Sequence, residues 1–136
     1  MFQHEVKVRV RYAETDQMGY VYYGNYATYF EVGRVEAMRA AGFSYKEMED
    51  RGIMMPVLNL QVNYLSPGRY DEELIVKVTI PSMPTLKIRF EYECTGEDGR
   101  KICTGETTLV WVNKETGRPV RMPEDLMKLL GRHFDE

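Results

Sequence analysis

Alternation of apolar and polar residues is the feature that most constrains the fold of this chain. It is clearest over residues 86–94, where every second side chain is apolar and those between are charged. Similar runs cover residues 6–12, 53–65 and 73–80, and residues 101–112 are expected to return as the partner strand of the 86–94 run. Because side chains along a β-strand point alternately to opposite faces, each run predicts a strand with one buried face. The Asp98-Gly99 pair between the last two runs is typical of a hairpin turn, and it would set Cys94 opposite Cys103.

One stretch follows a helical spacing instead. Over residues 25–41, aromatic and small residues recur at intervals of three and four, which predicts one long helix with a single buried face. We expect Asn25 to cap this helix and Gly42 to end it in a left-handed conformation. Gly33, on the buried face, would let a neighbouring element approach closely.

Two smaller helical features complete the pattern. Glu31 and Arg34 are three residues apart on the long helix, a spacing that favours either an ion pair that orders the helix or a contact between subunits. After Pro123, leucine and methionine recur at helical intervals and predict a short helix near the end of the chain.

The order of elements predicts an α+β fold, in which one long helix packs on one antiparallel sheet. The 136 residues are the size of a single domain, residues 1–136, with 43% hydrophobic residues to form its core.

Composition excludes several classes of protein. With 18 basic and 21 acidic residues, the net charge of −3 does not suit a nucleic-acid-binding protein. No apolar run is long enough to span a membrane, and no secretory signal is expected, so we predict a cytoplasmic protein. Metal-ligand spacing is absent from the sequence, and its serines, Ser44, Ser66 and Ser82, lie outside any G-x-S-x-G motif.

The residues that suggest a catalytic site lie between the first strand and the long helix. Asp16 precedes a turn containing Gly19, and this turn leads directly into the helix start at Asn25. The first turn of a helix presents unpaired N–H groups and partial positive charge, which can stabilise an oxygen that becomes negative during a reaction. A carboxylate nearby could attack a carbonyl or activate water. The segment therefore suggests a carboxylate combined with an oxyanion site.

The stretch RVRYAETDQMGYVYYGNYATYFEVGRVEAM resembles the signature of hotdog-fold acyl-CoA thioesterases of the 4-hydroxybenzoyl-CoA thioesterase family. The motif residues are Asp16, Gly19, Val21-Tyr22 and Asn25-Tyr26. The likeness continues through Phe30-Glu31, Arg34 and the later stretch VNYLSPGRYDEEL. It implies the hotdog fold, in which a five-stranded antiparallel sheet wraps around one long central helix.

The resemblance also implies an activity, the hydrolysis of an acyl-CoA thioester. Asp16 matches the catalytic carboxylate, as nucleophile or general base, and the backbone N–H groups of Tyr23 and Gly24 would hold the thioester oxygen. Many relatives have histidine in place of Tyr23, so only the backbone role carries over. The substrate would contact Gly19, Val21, Tyr22 and Asn25. No cofactor is expected, since coenzyme A is part of the substrate.

Other residues are candidates for the two ends of such a substrate. Met54 and Met55 are expected to line an acyl pocket, because methionine adapts to varied chains. Lys87 and Arg89, and also Arg69, are candidates for the coenzyme A phosphates.

The resemblance further implies a homodimer or homotetramer with active sites between subunits. Two alternative functions share the motif: release of acyl groups from an acyl carrier protein, and binding of acyl-CoA without cleavage. A hotdog hydratase is disfavoured because such sites typically use histidine, and His4 and His133 lie outside the motif.

Overall fold

The computed structural model describes residues 1–134 and contains the strands and helices that the sequence pattern predicts, together with several shorter elements. In chain order the strands are β1 (Phe2–Arg9), β2 (Ile53–Met54), β3 (Val57–Tyr64), β4 (Glu73–Ile80), β5 (Lys87–Thr95), β6 (Lys101–Val110) and β7 (Val112–Asn113). The helices are α1 (Asn25–Ala41), α2 (Tyr45–Asp50) and α3 (Glu124–Gly131), with a 3₁₀ helix at Tyr12–Glu14.

Five of the strands form one antiparallel sheet in the order β1-β4-β5-β6-β3, and β2 pairs with β7 in a separate ribbon. The predicted α+β architecture, a long helix on a five-stranded antiparallel sheet with a short C-terminal helix, is confirmed. No helix among residues 1–134 has the length and hydropathy to cross a membrane.

The long helix α1 packs across β1 and β4. A Cβ atom on Gly33 would lie 2.8 Å from Val78 and 3.1 Å from Val76, so this glycine allows close packing as predicted. On the other side of α1, the Phe30 ring stacks on Tyr92, with 4.3 Å between ring centroids. Since α1 covers only part of the sheet, the face that carries α1 is left exposed near β3.

The two ends of α1 differ from each other in how well the sequence predicts them. Gly42 ends the helix with φ +115°, as expected. The prediction that Asn25 caps the helix is wrong: Gly24 is the capping residue, and Asn25 is the first helical residue. The Asn25 side chain instead donates from Nδ2 to the carbonyl oxygen of Glu14, at 2.8 Å.

Two strand predictions need correction. The first strand ends at Arg9, because the chain turns into the 3₁₀ helix that starts at Tyr12. The run over residues 53–65 divides into β2 and β3 at Pro56, which has no N–H to continue a ladder.

A bulge in β3 changes which way Leu58 faces. Val57 pairs with Leu109 and Asn59 with Thr108, so Leu58 is an extra residue in the strand. Leu58 lines a surface groove with Lys87 and therefore does not share the face of the alternate residues that follow it.

The β5–β6 hairpin places Cys94 opposite Cys103, as predicted, but by a different turn. Gly96 N–H donates to the Arg100 carbonyl at 2.9 Å, which makes the loop three residues long, with Gly99 at φ +80°. A register shift after Cys94 compensates for the longer loop. Both thiols are buried and unbridged.

Candidate active site

Asp16 stabilises the turn in which it lies. Its N–H donates to the Tyr20 carbonyl at 2.8 Å, and its carbonyl accepts the Gly19 N–H at 3.0 Å. The carboxylate oxygen Oδ1 accepts the N–H groups of Met18 at 2.9 Å and Tyr20 at 3.2 Å. Gly19 has φ +78°, a conformation that favours glycine. No group among residues 1–134 donates a hydrogen bond to the second oxygen, Oδ2, so one half of the carboxylate remains available.

The half-buried Asp16 lines a surface cleft of about 610 Å³. The cleft is also lined by Tyr12, Thr15, Gln17, Gly19 and Tyr70. The rings of Tyr12 and Tyr70 are 5.4 Å apart and both are exposed, so they form an aromatic wall beside the carboxylate.

The start of α1 offers free backbone donors. The N–H of Tyr22 donates to the Glu14 carbonyl at 2.8 Å, and that of Asn25 donates to the Tyr22 carbonyl at 2.9 Å. Between them, the N–H groups of Tyr23 and Gly24 have no acceptor among residues 1–134. Gly24 has no side chain to cap the helix, so these two amides remain free at its positive end.

Glu14 connects the Asp16 turn to the start of α1. Its carbonyl accepts from Tyr22 and Asn25, as described above. Its buried carboxylate accepts from the Tyr29 hydroxyl at 3.0 Å and from the Arg11 guanidinium at 2.8 Å. Burial by itself would raise the pKa of Glu14, but the hydrogen bonds from Arg11 and Tyr29 outweigh it and hold this pKa below its usual value. The motif residues identified from the sequence do not include Glu14.

Tyrosine side chains surround the two free amides. The rings of Tyr22 and Tyr23 lie 4.5 Å apart, and Tyr64 on β3 donates from its hydroxyl to the Tyr23 carbonyl at 3.2 Å. Tyr26 lies 5.8 Å from the Tyr64 ring and, by its hydroxyl, accepts the Gly68 N–H at 3.2 Å. Val21, which the resemblance assigned to substrate contact, is buried.

The remaining predicted residues lie at the opposite end of the sheet. Lys87 is the first residue of β5 and pairs with Val110, the last of β6, whereas the Asp16 turn adjoins the end where β4 begins. Met54 pairs with Val112 in the small ribbon. An eight-residue strand separates these ends by about 26 Å. Within one chain, therefore, Met54, Met55, Lys87 and Arg89 are not brought to Asp16.

Two of the candidate cations already have partners. Arg89 forms ion pairs with Glu91 at 3.0 Å and with Glu106. Arg69 lies over the Tyr20 ring, 5.1 Å from its centroid. The predicted Glu31–Arg34 pair is wrong, because Arg34 turns inward toward Tyr45 and Tyr92 while Glu31 stays exposed.

Comparison with known proteins identifies the family. A model of the thioesterase-like superfamily matches residues 10–130.

The chain belongs to the thioesterase-like superfamily.

Relatives and solved structures support this assignment. The chain is 34% identical to a putative acyl-CoA thioesterase, YneP of Bacillus subtilis, over 115 residues that cover 85% of this chain and 83% of that protein. It superimposes on the DHNA-CoA thioesterase of Staphylococcus aureus with a TM-score of 0.94 and 36% identity, covering 98% of this chain and 92% of that one.

The resemblance noted in the sequence is confirmed in the fold. The structure of a 4-hydroxybenzoyl-CoA thioesterase bound to 4-hydroxybenzoyl-CoA superimposes with a TM-score of 0.84. The identity is 15%, with 95% of this chain and 99% of that one covered, so this likeness concerns the hotdog fold alone.

Proposed function

We propose that this member of the thioesterase-like superfamily hydrolyses acyl-CoA thioesters, with Asp16 as the reacting carboxylate. The observation that carries the proposal is that two adjoining segments, linked through the Glu14 carbonyl, present a carboxylate oxygen, Asp16 Oδ2, and two backbone amides, those of Tyr23 and Gly24, that residues 1–134 leave free. Glu14 lies two residues before Asp16, and its carbonyl accepts from the Tyr22 N–H and the Asn25 side chain, so it joins the Asp16 turn to the start of α1. A thioester carbonyl placed between them would meet an attacking group on one side and hydrogen-bond donors on the other.

In the proposed reaction, the N–H groups of Tyr23 and Gly24 donate to the carbonyl oxygen as it becomes negative. Asp16 either attacks the carbonyl carbon or takes a proton from a water that attacks it. The carbon–sulfur bond then breaks, and coenzyme A leaves as a thiolate. On the direct route the acyl group remains on Asp16 as a mixed anhydride, which water hydrolyses to release the acid and restore the carboxylate. Thiolate is a good leaving group, so we propose that the reaction needs no metal and no cofactor.

Replacing Asp16 tests the proposal. In Asp16→Asn the amide oxygen can still accept from Met18 and Tyr20, so the turn should persist while the charge is lost. We expect kcat on acyl-CoA to fall by about 10²–10⁴-fold, measured by thiol release, with an unchanged circular dichroism spectrum. The exposed Asp50 of α2 pairs with Lys46 of the same helix at 3.0 Å, so Asp50→Asn is the matched control and should keep the wild-type rate. Wild-type turnover in Asp16→Asn would remove the carboxylate from the mechanism.

A second experiment separates the two roles of Asp16. With enzyme in excess over substrate in ¹⁸O-labelled water, direct attack followed by addition of water at the Asp16 carboxyl carbon gives an unlabelled first product and leaves ¹⁸O on Asp16. General-base catalysis instead places ¹⁸O in the product from the first turnover.

For the coenzyme A phosphates we propose Lys87 together with Arg121. Both line an otherwise apolar groove on the outer face of the sheet. Its remaining lining residues are Leu58, Leu86, Val110, Pro119 and Val120. Because the charge of Arg89 is already shared with two glutamates, this neighbouring arginine is the weaker candidate. The phosphates of coenzyme A need cations that are not already neutralised by carboxylates. The apolar lining of the groove suits the linker of coenzyme A between its phosphates and the thioester.

We also propose that the working unit contains at least two copies of the chain. β3 is an edge strand whose side chains are exposed along almost its whole length, although many of them are apolar. Such an edge is normally covered. Antiparallel pairing of β3 with β3 of a second copy would bring the Leu58 end of the partner's β3 beside this copy's Tyr64. The partner's Lys87 would then lie at the same end of the joined sheet as this copy's Asp16, whereas within one chain the two lie at opposite ends.

A further inference from the structure

The peptide group that carries the Gly24 N–H is held by a side chain from the sheet. The carbonyl of Tyr23 and the N–H of Gly24 belong to this one peptide group. The Tyr64 hydroxyl donates to the carbonyl at 3.2 Å, and among residues 1–134 no backbone N–H donates to it. A trans peptide group is planar, so its carbonyl and its N–H point in opposite directions. A donor that fixes the direction of the Tyr23 carbonyl therefore also fixes the direction of the Gly24 N–H.

This peptide group lies at the centre of a β-turn. The Asn25 N–H donates to the Tyr22 carbonyl at 2.9 Å and closes the turn, so Tyr23 and Gly24 are its two central residues. Gly24 has φ −69° and ψ −19°, which places the turn in the type I class. A type II turn joins the same ends with the central peptide group turned over, and it needs φ of about +80° at the third residue.

Glycine in the third position makes the type II form accessible. Because it has no Cβ atom, glycine adopts positive φ about as readily as negative φ. If the peptide group turned over, the ends of the turn and the helix that follows would keep their positions, but the Gly24 N–H would point the other way. The bond from Tyr64 would be lost as well, because the Tyr23 carbonyl turns with the N–H. The two forms therefore differ in whether the Gly24 amide belongs to the proposed oxyanion site.

Tyr64 is itself held by groups outside the turn. It is the last residue of β3 and pairs there with Cys103 of β6. Its ring centroid lies 5.8 Å from that of Tyr26, a buried residue of α1 whose hydroxyl accepts the Gly68 N–H at 3.2 Å. The sheet and the helix thus position the Tyr64 hydroxyl independently of the turn, so this hydroxyl can select one of the two turn forms.

We propose that Tyr64 is a positioning residue, whose hydroxyl holds the Tyr23–Gly24 peptide group in the orientation that presents the Gly24 N–H to the thioester oxygen. The inference rests on the proposed thioesterase function and adds a residue of β3 to it. Tyr64 acts through the backbone. Removal of one oxyanion donor slows an enzyme by about 10²–10³-fold. Loss of the Tyr64 bond frees the peptide group to turn over for part of the time, so its effect should be smaller.

The substitution Tyr64→Phe removes the hydroxyl and keeps the ring against Tyr26. Thiol release is measured with hexanoyl-CoA and benzoyl-CoA as substrates. We expect kcat to fall by about three- to ten-fold, because one ordinary hydrogen bond is lost. KM should stay unchanged, since the Gly24 amide interacts chiefly with the charge that develops in the transition state. Tyr45→Phe is the matched control, because Tyr45 lies beyond the opposite end of α1, and it should keep the wild-type kcat.

A double-mutant cycle separates this role of Tyr64 from others. The substitution Gly24→Ala disfavours positive φ, and so disfavours the turned-over form even without Tyr64. The added Cβ atom would lie 2.9 Å from the edge of the Tyr22 ring, an exposed side chain that can shift. In the Gly24→Ala background we expect Tyr64→Phe to lower kcat by less than about two-fold. An equal fold loss in both backgrounds would overturn the inference, as would a wild-type kcat in Tyr64→Phe alone.

Infrared spectroscopy gives an independent measurement. In the Asp16→Asn background, the same two substrates labelled with ¹³C at the thioester carbonyl are bound without rapid cleavage, and their C=O stretching frequency is recorded. Hydrogen bonds to the oxygen lower this frequency, so Tyr64→Phe should raise it toward that of the free substrate, whereas Tyr45→Phe should not. An unchanged frequency in Tyr64→Phe would overturn the inference. If the wild-type enzyme releases thiol from neither substrate, the proposed function fails, whereas equal kcat for wild type and Tyr64→Phe defeats only the role of Tyr64.

Discussion

Among single residues, Glu14 shows how one side chain can support a site that it does not enter. Its carboxylate is anchored by Arg11 and Tyr29, and this anchoring holds its carbonyl where Tyr22 and Asn25 donate to it. The Asp16 turn and the amides of α1 therefore depend on the same buried group for their relative position.

Glu14→Gln should destabilise the protein in a pH-dependent way. The variant keeps an oxygen for Tyr29 but loses the charge that Arg11 binds, so we expect a loss of about 1–3 kcal/mol at neutral pH. Because the pKa of Glu14 is lowered in the folded state, its contribution is present above the unfolded pKa and is lost as pH falls through the folded pKa. Denaturant unfolding at a series of pH values should therefore show the two proteins converging in acid.

Glu36→Gln is the control for this measurement. Glu36 pairs with Arg39 at an exposed position, and such pairs contribute little. A constant difference between Glu14→Gln and wild type at all pH values would contradict the role assigned to the charge.

The two carboxylate oxygens of Asp16 have different roles. Oδ1 holds the turn, whereas Oδ2 is available for chemistry. Asp16→Ala should thus lose about 1 kcal/mol of stability in addition to its activity, since the Met18 and Tyr20 N–H groups lose their acceptor. Asp16→Asn should lose activity alone. Equal unfolding free energies for the two variants would show that Oδ1 contributes nothing to the turn.

Between elements, the position of α1 on the sheet depends on small residues at the contacts. A Cβ atom on Gly105 in β6 would lie 2.5 Å from the Phe30 ring and 2.8 Å from the Gln61 carbonyl of β3. Neither the stacked ring nor the strand backbone can move without loss of packing.

Gly105→Ala should therefore cost about 1–3 kcal/mol, measured by denaturant unfolding, because it overpacks the contact between α1 and the sheet. Gly131→Ala in α3 is the control, since a Cβ atom there would meet no heavy atom within 4 Å and helix propensity favours alanine. If the two substitutions have equal effects, the close approach at Gly105 is not a constraint.

The elements also show where prediction from sequence succeeds and fails. Gly42 ends α1 as expected, because a left-handed helix terminus is a local property of glycine. The bulge at Leu58 could not be predicted from the alternation over residues 53–65, because a bulge depends on how β3 pairs with β6.

In the whole molecule, the two sheet edges differ in chemistry. The β1 edge alternates charged residues with apolar ones, whereas the β3 edge exposes apolar side chains and carries no charge. Charges at an edge oppose strand pairing, and an apolar uncharged edge favours it.

Leu60→Lys should weaken the proposed dimer, because it places a charge where β3 would meet its copy. We expect sedimentation equilibrium to give twice the mass of one chain for the wild-type protein and a shift toward a single chain for the variant. Gln3→Lys, on the β1 edge, is the control and should leave the mass unchanged. A wild-type protein that is active as a single chain would contradict the composite site.

The sequence by itself determined the order of the elements, the ends of several of them and the segment that holds Asp16, because alternation, glycine turns and a family motif are short-range properties. Only the tertiary structure decided that Glu14 joins the turn to α1, that Oδ1 rather than Oδ2 of Asp16 accepts the turn's N–H groups, and that Arg34 turns inward toward Tyr45 and Tyr92. Each of these depends on which groups distant in sequence supply or withhold a hydrogen bond, and that is fixed by packing.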